Sequence, residues 1–165
     1  MSEVIVLDEL FPLQKGLDEE IHARHHLNYE VTHEKRILAL LVELGEFANE
    51  TRCFKFWSEK APSEKAVILD EYADGMHFFL SLGLPLDVVT YTHHFKTDQA
   101  DLTTQILQTY VLVSDLLSHY DAKHYARAFG SFLNLLPLLG YSAEDALGAY
   151  KKKLAVNHIR QEEHY

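Results

Sequence analysis

Apolar residues recur at intervals of three and four along nearly the whole chain, and this spacing constrains the fold most strongly. In an α-helix such residues share one face, which must be buried against a neighbouring element. No segment shows the alternation of apolar and polar residues that is typical of a strand. The pattern therefore predicts an all-α helical bundle. The clearest apolar stripes are Leu10, Leu13, Leu17 and Ile21, followed by Ile37, Leu40, Leu41, Leu44 and Phe47.

Capping residues and helix breakers divide the chain into about six helices, four of which are expected to form the core of the bundle. Thr32 and Ser63 are the expected N-caps of the second and third helices, and Gly83 ends the third. Ser142 and Asp145 resemble a capping box for the last helix. The predicted helices cover residues 10–26, 32 to 51–54, 64–82, 98–119, 123–139 and the region after 142.

Composition and charge narrow the class of protein. The chain has 165 residues, of which 47% are hydrophobic, and a single domain over residues 1–165 is predicted. No apolar run reaches the ~18 residues of a membrane helix, and the start lacks the features of a signal peptide. Together with the lone Cys53, this favours a cytoplasmic protein without a membrane partner. A net charge of −10 argues against nucleic-acid binding, but a metal ion could still bring in a small anion.

Two pairs of acidic residues have the spacing of one helix face. Glu43 and Glu46 lie three residues apart on the second predicted helix, and Glu71 and Asp74 have the same spacing on the third. The short connector between these helices favours an antiparallel hairpin in which the two faces meet. The sequence therefore predicts that four carboxylates converge in the helical core.

Converging carboxylates repel one another unless cations neutralise them. An all-oxygen ligand set suits two or more Mg²⁺ ions, with Mn²⁺ as a substitute. The alternative is that both pairs are solvated faces of surface helices. Two observations weigh against it: neither pair has a Lys or Arg at i+4, and both lie among core-type residues.

Further side chains near these helices have the chemistry of a nucleotide site. Lys153, Asn157 and Arg160 form one helical stripe that suits a triphosphate, although a solvated basic helix end has the same pattern. Asn49 follows Glu46 by one turn and could hydrogen-bond a substrate group or simply help to end the helix.

The third helix and the connector supply candidates for the base and sugar. Phe78 follows the acidic pair by one turn and could stack on a base, with Phe79 competing for that position. His77 could donate a hydrogen bond to a deoxyribose. Lys55 and Trp57 lie at the end of the second helix, beside its acidic pair.

Five motifs, which lie in order within four segments, resemble one known family. The segments ELGEFANETRCFKFWS and LDEYADGMHFFLSLG, with LQKGLDEEI before them and YKKKLAVNHIRQEEHY after them, resemble the all-α nucleoside triphosphate pyrophosphohydrolases. Among these the chain is most similar to the dimeric dUTPases of bacteria and phages. The resemblance covers most of the chain and implies that the two acidic pairs bind Mg²⁺.

The resemblance also implies roles for residues at both ends of the chain. Gln14 would help to recognise uracil, with Asp18 one turn later, and Trp57 would line the nucleotide pocket. The last motif would close over the phosphates, but His164 stands where the family has Gly, which puts the closing turn in doubt. The residues that match this motif are Tyr150, Lys153, Asn157, Arg160, Gln161 and Tyr165.

The expected activity is hydrolysis of dUTP to dUMP and pyrophosphate by a water that Mg²⁺ activates. Glu46 is expected to orient or deprotonate that water. A homodimer is implied by the resemblance, and the apolar stretches Tyr110–Leu117 and Phe129–Leu139 offer surface for it.

Three alternatives stay open at this point. The base could be cytosine or another non-uracil base. A di-iron bundle would use Glu-x-x-His pairs, of which Glu30 with His33 is one and Asp74 with His77 is superficially another. The third alternative is a bundle with an interaction role and no catalysis.

Overall fold

The structure is a computed structural model, and it describes residues 3–96 and 101–164. Within these ranges the chain forms seven α-helices, a short 3₁₀ turn and a two-stranded sheet, which confirms the predicted helical bundle. None of the described helices has the length and apolar character needed to cross a membrane. The elements are β1 (Val4–Val6), α1 (Leu10–His25), α2 (Tyr29–Thr51), α3 (Lys65–Gly83), the 3₁₀ turn (Leu84–Leu86), β2 (Thr92–His94), α4 (Leu102–Asp115), α5 (Ala122–Leu133), α6 (Leu135–Leu139) and α7 (Ala143–Glu162).

Helix α3 lies at the centre of the bundle. It packs along α2 in the most extensive helix pair of the described chain, and it also contacts α1, α5 and α7. Helices α1, α2, α3 and α7 form the group that surrounds the candidate site, while α4, α5 and α6 pack behind it. The four-helix core that the sequence predicts is therefore α1, α2, α3 and α7.

Stacked aromatic rings join α3 to α5. The Tyr72 and Phe132 rings are parallel within 9° with centroids 4.2 Å apart, and Phe79 and Phe129 stack at 4.7 Å. The Tyr72 hydroxyl donates to the carbonyl of Phe132 at 2.9 Å, so this buried polar group is satisfied. This packing holds one face of α3 rigidly and leaves its opposite face for the acidic residues.

Several helix boundaries differ from those expected. Helix α2 begins at Tyr29, because the Asn28 side chain accepts a hydrogen bond from the Val31 amide at 2.9 Å and caps it. Thr32 is therefore an interior helix residue and not the N-cap. Ser63 does not cap α3 either, since its hydroxyl donates to the Glu50 carboxylate.

The later helices follow the predicted order with shorter spans. The expected start of the fourth helix at Asp98 lies outside the described residues, and Asp101 caps α4, which ends at Asp115. The single helix expected over residues 123–139 is two helices, α5 and α6, which meet at Asn134. The capping box of Ser142 and Asp145 is confirmed at the start of α7.

A small sheet was not predicted. Strands β1 and β2 pair antiparallel, with Ile5 opposite His93, in a segment that reads as irregular in the sequence. Each strand has only three residues, which is too short for the alternation of apolar and polar residues to stand out. The pairing ties the residues before α1 to the connection between α3 and α4.

The packing of Tyr125 against Gly83 leaves no room for a side chain at residue 83. A Cβ at this position would lie 2.5 Å from the Tyr125 hydroxyl oxygen and 2.7 Å from its ring, and Tyr125 is fully buried. Gly83→Ala should therefore destabilise the fold by about 1–3 kcal/mol, measured by urea unfolding.

Gly148→Ala provides the matched control for this prediction. Gly148 is an exposed residue of α7, and a Cβ there would have no neighbour within 4 Å. The higher helix propensity of Ala should stabilise this variant by about 0.5–1 kcal/mol. Equal effects of the two substitutions would contradict the packing argument.

Candidate metal and nucleotide site

The two acidic faces meet across the α2–α3 pair, as the hairpin predicts. One oxygen each from Glu43, Glu46 and Glu71 can be chosen so that all three lie within 4.8 Å of one another. Asp70, Glu71 and Asp74 form a second such group on α3. Asp70 was not predicted as part of this cluster, although its i, i+4 spacing from Asp74 places the two on one face of α3. That the carboxylates bind a metal stays a prediction.

The carboxylates lie where ionisation is unfavourable. Burial raises the pKa of Glu43 to about 8, and the negative charges of Asp74 and Glu46 add to this effect. Burial and the charges of Asp74 and Glu46 likewise raise the pKa of Glu71 to about 7. One oxygen of Glu43 and one of Glu71 are buried without a hydrogen-bond partner in the described part of the chain. Such atoms need a proton or a cation.

Lys153 supplies positive charge at one end of this cluster. Its ammonium nitrogen lies 3.0 Å from an Asp70 oxygen and 3.1 Å from an Asp74 oxygen. Burial raises the pKa of Asp74, and Lys153 opposes that shift. The Lys153 ammonium therefore neutralises charge beside Asp70 and Asp74. Among the described residues, no Lys or Arg forms a salt bridge with Glu43, Glu46 or Glu71.

The donor set fits magnesium. Every group in the cluster offers carboxylate oxygen, which Mg²⁺ prefers, and the unpaired buried oxygens of Glu43 and Glu71 are available as ligands. Glu46 is exposed, so a bound ion would keep contact with water and with substrate phosphates. Glu43, Glu46, Glu71 and Asp74 are the residues that would hold such ions.

A cavity of about 380 Å³ adjoins the carboxylates. Glu43 and Asp74 line it at the acidic side, together with Asn157 and Arg160 from α7. The Arg160 guanidinium donates to the Asn157 side-chain oxygen at 3.4 Å. The other lining residues come from α1, the α1–α2 connection, α2 and α3, and they are Gln14, Leu17, Asp18, Ile21, His22, Leu27, Thr32, Lys35, Arg36, Ala39, His77, Phe78 and Ser81.

Hydrogen bonds determine which nitrogen of His77 carries the proton. The Gln14 amide nitrogen donates to Asp18 at 2.9 Å, since a carboxylate can only accept. The Gln14 oxygen therefore faces Tyr150, which donates to it at 3.0 Å, and His77 Nδ1, which lies 2.6 Å away. Nδ1 must carry the hydrogen in this bond. His77 Nε2 is then an acceptor, which reverses the donor role expected from the sequence.

His77 is held neutral in this position. Its pKa is lowered to about 3, mainly by burial and in part by the positive charge of Lys153. Nε2 is buried and has no hydrogen-bond partner among the residues that the structure describes. A ligand that offers an N–H or O–H group would satisfy it.

Arg36 forms the far wall of the cavity and was missed by the sequence analysis. It is buried, and it donates to the Thr32 hydroxyl at 3.1 Å and to the Ser81 carbonyl at 3.0 Å. Asp18 also accepts hydrogen bonds at this end, from Ser81 and from Tyr29. The signal was the i, i+4 spacing of Thr32 and Arg36, which was obscured because Thr32 was interpreted as a helix cap.

Comparison of the sequence with models of known protein families identifies the family of this chain. A family model described as dUTPase matches residues 6–165, which is nearly the whole chain. The chain belongs to the dUTPase family. No curated protein matches it.

Membership in the dUTPase family implies a nucleoside triphosphate pyrophosphohydrolase with a nucleotide substrate. Enzymes of this kind typically depend on a metal ion, and the acidic clusters of this dUTPase-family chain are the groups suited to one. The sequence resemblance to the all-α dUTPases is thus confirmed at the level of the family.

Some predicted substrate residues lie away from the cavity of this dUTPase-family chain. Asn49 is exposed, and neither it nor Lys55 lines the cavity. Trp57 is 64% exposed and packs edge-on against Phe54 and Phe56. Tyr165 lies outside the described residues.

The two competing phenylalanines have different positions. Phe78 lines the cavity, whereas Phe79 is fully buried and stacks on Phe129. Helical geometry explains the difference, because consecutive residues point about 100° apart around the axis. Phe78 is therefore the ring that can contact a base.

Removal of divalent ions should make stability depend on pH. The raised pKa values of Glu43 and Glu71 mean that the folded chain keeps protons which the unfolded chain releases above about pH 4.5. The unfolded state thus binds fewer protons, and stability should fall as pH rises from about 5 to about 8. Melting temperatures in EDTA across this range measure the effect.

Two variants and the addition of Mg²⁺ test whether the carboxylates cause this pH dependence of stability. Glu43→Gln should flatten the decline, whereas Glu34→Gln, an exposed site on the same helix, should leave it unchanged. Mg²⁺ should restore stability most at the alkaline end, because it replaces protons that are lost there. A melting temperature that rises between pH 5 and pH 8 without metal would contradict the assignment.

Proposed function

We propose that this protein is a dUTP diphosphatase that hydrolyses dUTP to dUMP and pyrophosphate. The observation that carries the proposal concerns one buried oxygen of Glu43 and one of Glu71, which have no hydrogen-bond partner in the described part of the chain and lie beside a cavity of about 380 Å³. Membership in the dUTPase family supports the same activity. Hydrolysis of dUTP would place the protein with the cytoplasmic nucleotide pool.

Glu43, Glu46, Glu71 and Asp74 would hold two or more Mg²⁺ ions, with Mn²⁺ as a substitute. Such ions supply positive charge for the phosphate oxygens and lower the pKa of water. Asn157 and Arg160 reach the same end of the cavity from α7, where Arg160 can contact phosphate oxygens with two N–H groups. Lys153 forms ion pairs with Asp70 and Asp74, and its positive charge opposes the rise that burial causes in the pKa of Asp74.

Glu46 is the residue that we assign to proton transfer. It is the exposed member of its group, and one oxygen each of Glu43 and Glu71 lies within 4.8 Å of one of its own. A water at the mouth of the site can reach Glu46 more easily than the buried oxygens of its neighbours. Glu46 would orient that water toward phosphorus and accept its proton.

The base and sugar would occupy the inner part of the cavity. Phe78 offers a ring for stacking, and Gln14, Asp18 and His77 form a hydrogen-bonded group with fixed donor and acceptor positions. His77 Nε2 would accept from a hydroxyl or an N–H of the nucleoside. Cytosine also offers N–H donors, so a pyrophosphohydrolase acting on dCTP or another non-uracil nucleotide is the second candidate.

A substrate panel with a base variant tests the proposal. Pyrophosphate release in Mg²⁺ should be fastest with dUTP among the deoxynucleoside triphosphates, and Glu46→Gln should lower kcat by about 10²–10⁴-fold. The control is Glu34→Gln, exposed on the same helix, which should keep wild-type kcat. Comparable rates with several bases would overturn the uracil assignment, and an unchanged kcat in Glu46→Gln would overturn the role of Glu46.

We also propose that the protein is a homodimer formed through α2 and α4. Leu38 and Val42 on α2, with Leu107 and Val111 on α4, are each at least half exposed and follow the spacing of one helix face. The two helices pack side by side, where the Tyr110 hydroxyl donates to the Leu41 carbonyl at 2.9 Å. This apolar α2–α4 face is suited to a second copy of the chain.

The second apolar stretch expected at the interface has another role. Phe129, Phe132, Leu133, Leu135 and Leu136 are buried within the chain and form part of its own core. Their apolar character reflects intramolecular packing. Of the two stretches, only Tyr110–Leu117 has exposed apolar side chains, on Val111 and Leu117.

Charges on the α2–α4 face should prevent dimer formation. The double variant Leu107→Glu with Val111→Glu would bury two carboxylates at the interface and is expected to be a monomer in sedimentation velocity experiments. Val89→Glu is the control, because Val89 is 61% exposed and belongs to neither helix. A double variant that sediments as a dimer would place the interface elsewhere.

A further inference from the structure

A second cluster of possible metal ligands lies at the turn between α4 and α5, on residues that the nucleotide site does not use. Asp115 is the last residue of α4, His119 follows it by one helical turn, and His124 lies in the first turn of α5. One ligand atom from each can be chosen so that all three lie within 4.8 Å of one another. We propose that this turn binds a transition-metal dication, with Zn²⁺ as the representative ion.

The distances suit a small tetrahedral ion. His119 Nδ1 donates a hydrogen bond to Asp115 Oδ1 at 3.0 Å, which an ion bound between the two atoms would replace, and Asp115 Oδ2 lies 4.0 Å from His124 Nε2. Around Zn²⁺, bonds of 2.0–2.1 Å place neighbouring ligand atoms about 3.3 Å apart. The observed separations bracket that value, so small side-chain rotations would bring the three ligands to one ion.

The orientation of His124 supports the assignment independently. Its Nδ1 lies 2.8 Å from both carboxylate oxygens of Asp121, which can only accept hydrogen bonds. Nδ1 therefore carries the hydrogen, and Nε2 presents its lone pair on the side of Asp115. A carboxylate that accepts the second ring N–H is the usual partner of a metal-binding histidine, because it orients the ring and raises its basicity.

The ligand types determine which ion would bind. Two imidazoles and one carboxylate suit Zn²⁺, Co²⁺ or Ni²⁺, whereas Mg²⁺ requires oxygen ligands. The three side chains are 41%, 56% and 28% exposed for Asp115, His119 and His124 respectively. Water can therefore fill the remaining coordination position, and the ion can exchange with solution.

A bound ion would fix the α4–α5 turn against the centre of the bundle. Tyr120, which lies within this turn, donates its hydroxyl to the Leu82 carbonyl at the end of α3 and packs against His33 of α2 at 4.3 Å. His119 precedes Tyr120 and His124 follows it in the sequence. The two imidazole rings stack on each other, with centroids 4.9 Å apart and planes within 16°. Coordination would join both helices at the point where Tyr120 anchors them, and so raise thermal stability.

The test measures Zn²⁺ binding to the whole protein with Mg²⁺ in large excess, by equilibrium dialysis and by the visible absorption of Co²⁺ as a probe. One Zn²⁺ per chain is expected, together with a higher melting temperature. His119→Gln and His124→Gln should each weaken binding at least tenfold. Asp121→Asn keeps a good N-cap for α5 but removes the carboxylate, and should weaken binding by about 10–100-fold.

Two controls separate this turn from other ligands. His94→Gln removes an exposed histidine of β2 and should bind Zn²⁺ as the wild type does. Glu46→Gln alters the carboxylate cluster and should also keep the Zn²⁺ bound at the turn, so the result does not depend on the proposed hydrolysis. Equal binding by wild type and His124→Gln, or no binding by wild type, would overturn the proposal. Circular dichroism of each variant confirms that it is folded.

Discussion

Repulsion between carboxylates across α2 and α3 is the constraint on which the rest of the site depends. Five acidic side chains, including Asp70, lie in a region where burial raises the pKa of Glu43 and Glu71 well above the usual value. The α2–α3 pair nevertheless holds them together, because stacked rings such as Tyr72 on Phe132 fix α3 from behind. A rigid scaffold thus keeps oxygens close that would separate in a flexible one, and a cation can relieve the repulsion.

In the cavity beside these carboxylates, the donor and acceptor roles of Asp18, Gln14 and His77 are fixed by consecutive hydrogen bonds. Asp18 can only accept, so it orients the Gln14 amide, and Gln14 in turn determines the tautomer of His77. The result is a neutral imidazole whose buried Nε2 has no hydrogen-bond partner among the described residues. An unpaired buried acceptor destabilises the ligand-free protein, and a hydroxyl or N–H of a nucleoside would remove that cost.

Local patterns predicted much of the protein because their physics is local. Glu43 and Glu46 share a helix face because they are three residues apart. The capping box of Ser142 and Asp145 likewise depends only on residues within one helical turn. Lys153 shows the limit of this reasoning. Its spacing on α7 gave no sign that its ammonium would lie beside Asp70 and Asp74, which are more than seventy residues away in sequence.

The sequence by itself determined the helical class, the family and the two acidic pairs, since periodicity and motif order are properties of neighbouring residues. Only the tertiary structure decided that Phe78 and not Phe79 faces the cavity, that Thr32 and Arg36 form its wall, and that Lys55 and Trp57 lie outside it. It also brought Asp115, His119 and His124 together at one turn. These outcomes depend on where helices begin and how they cross, which long-range packing sets and no short pattern records.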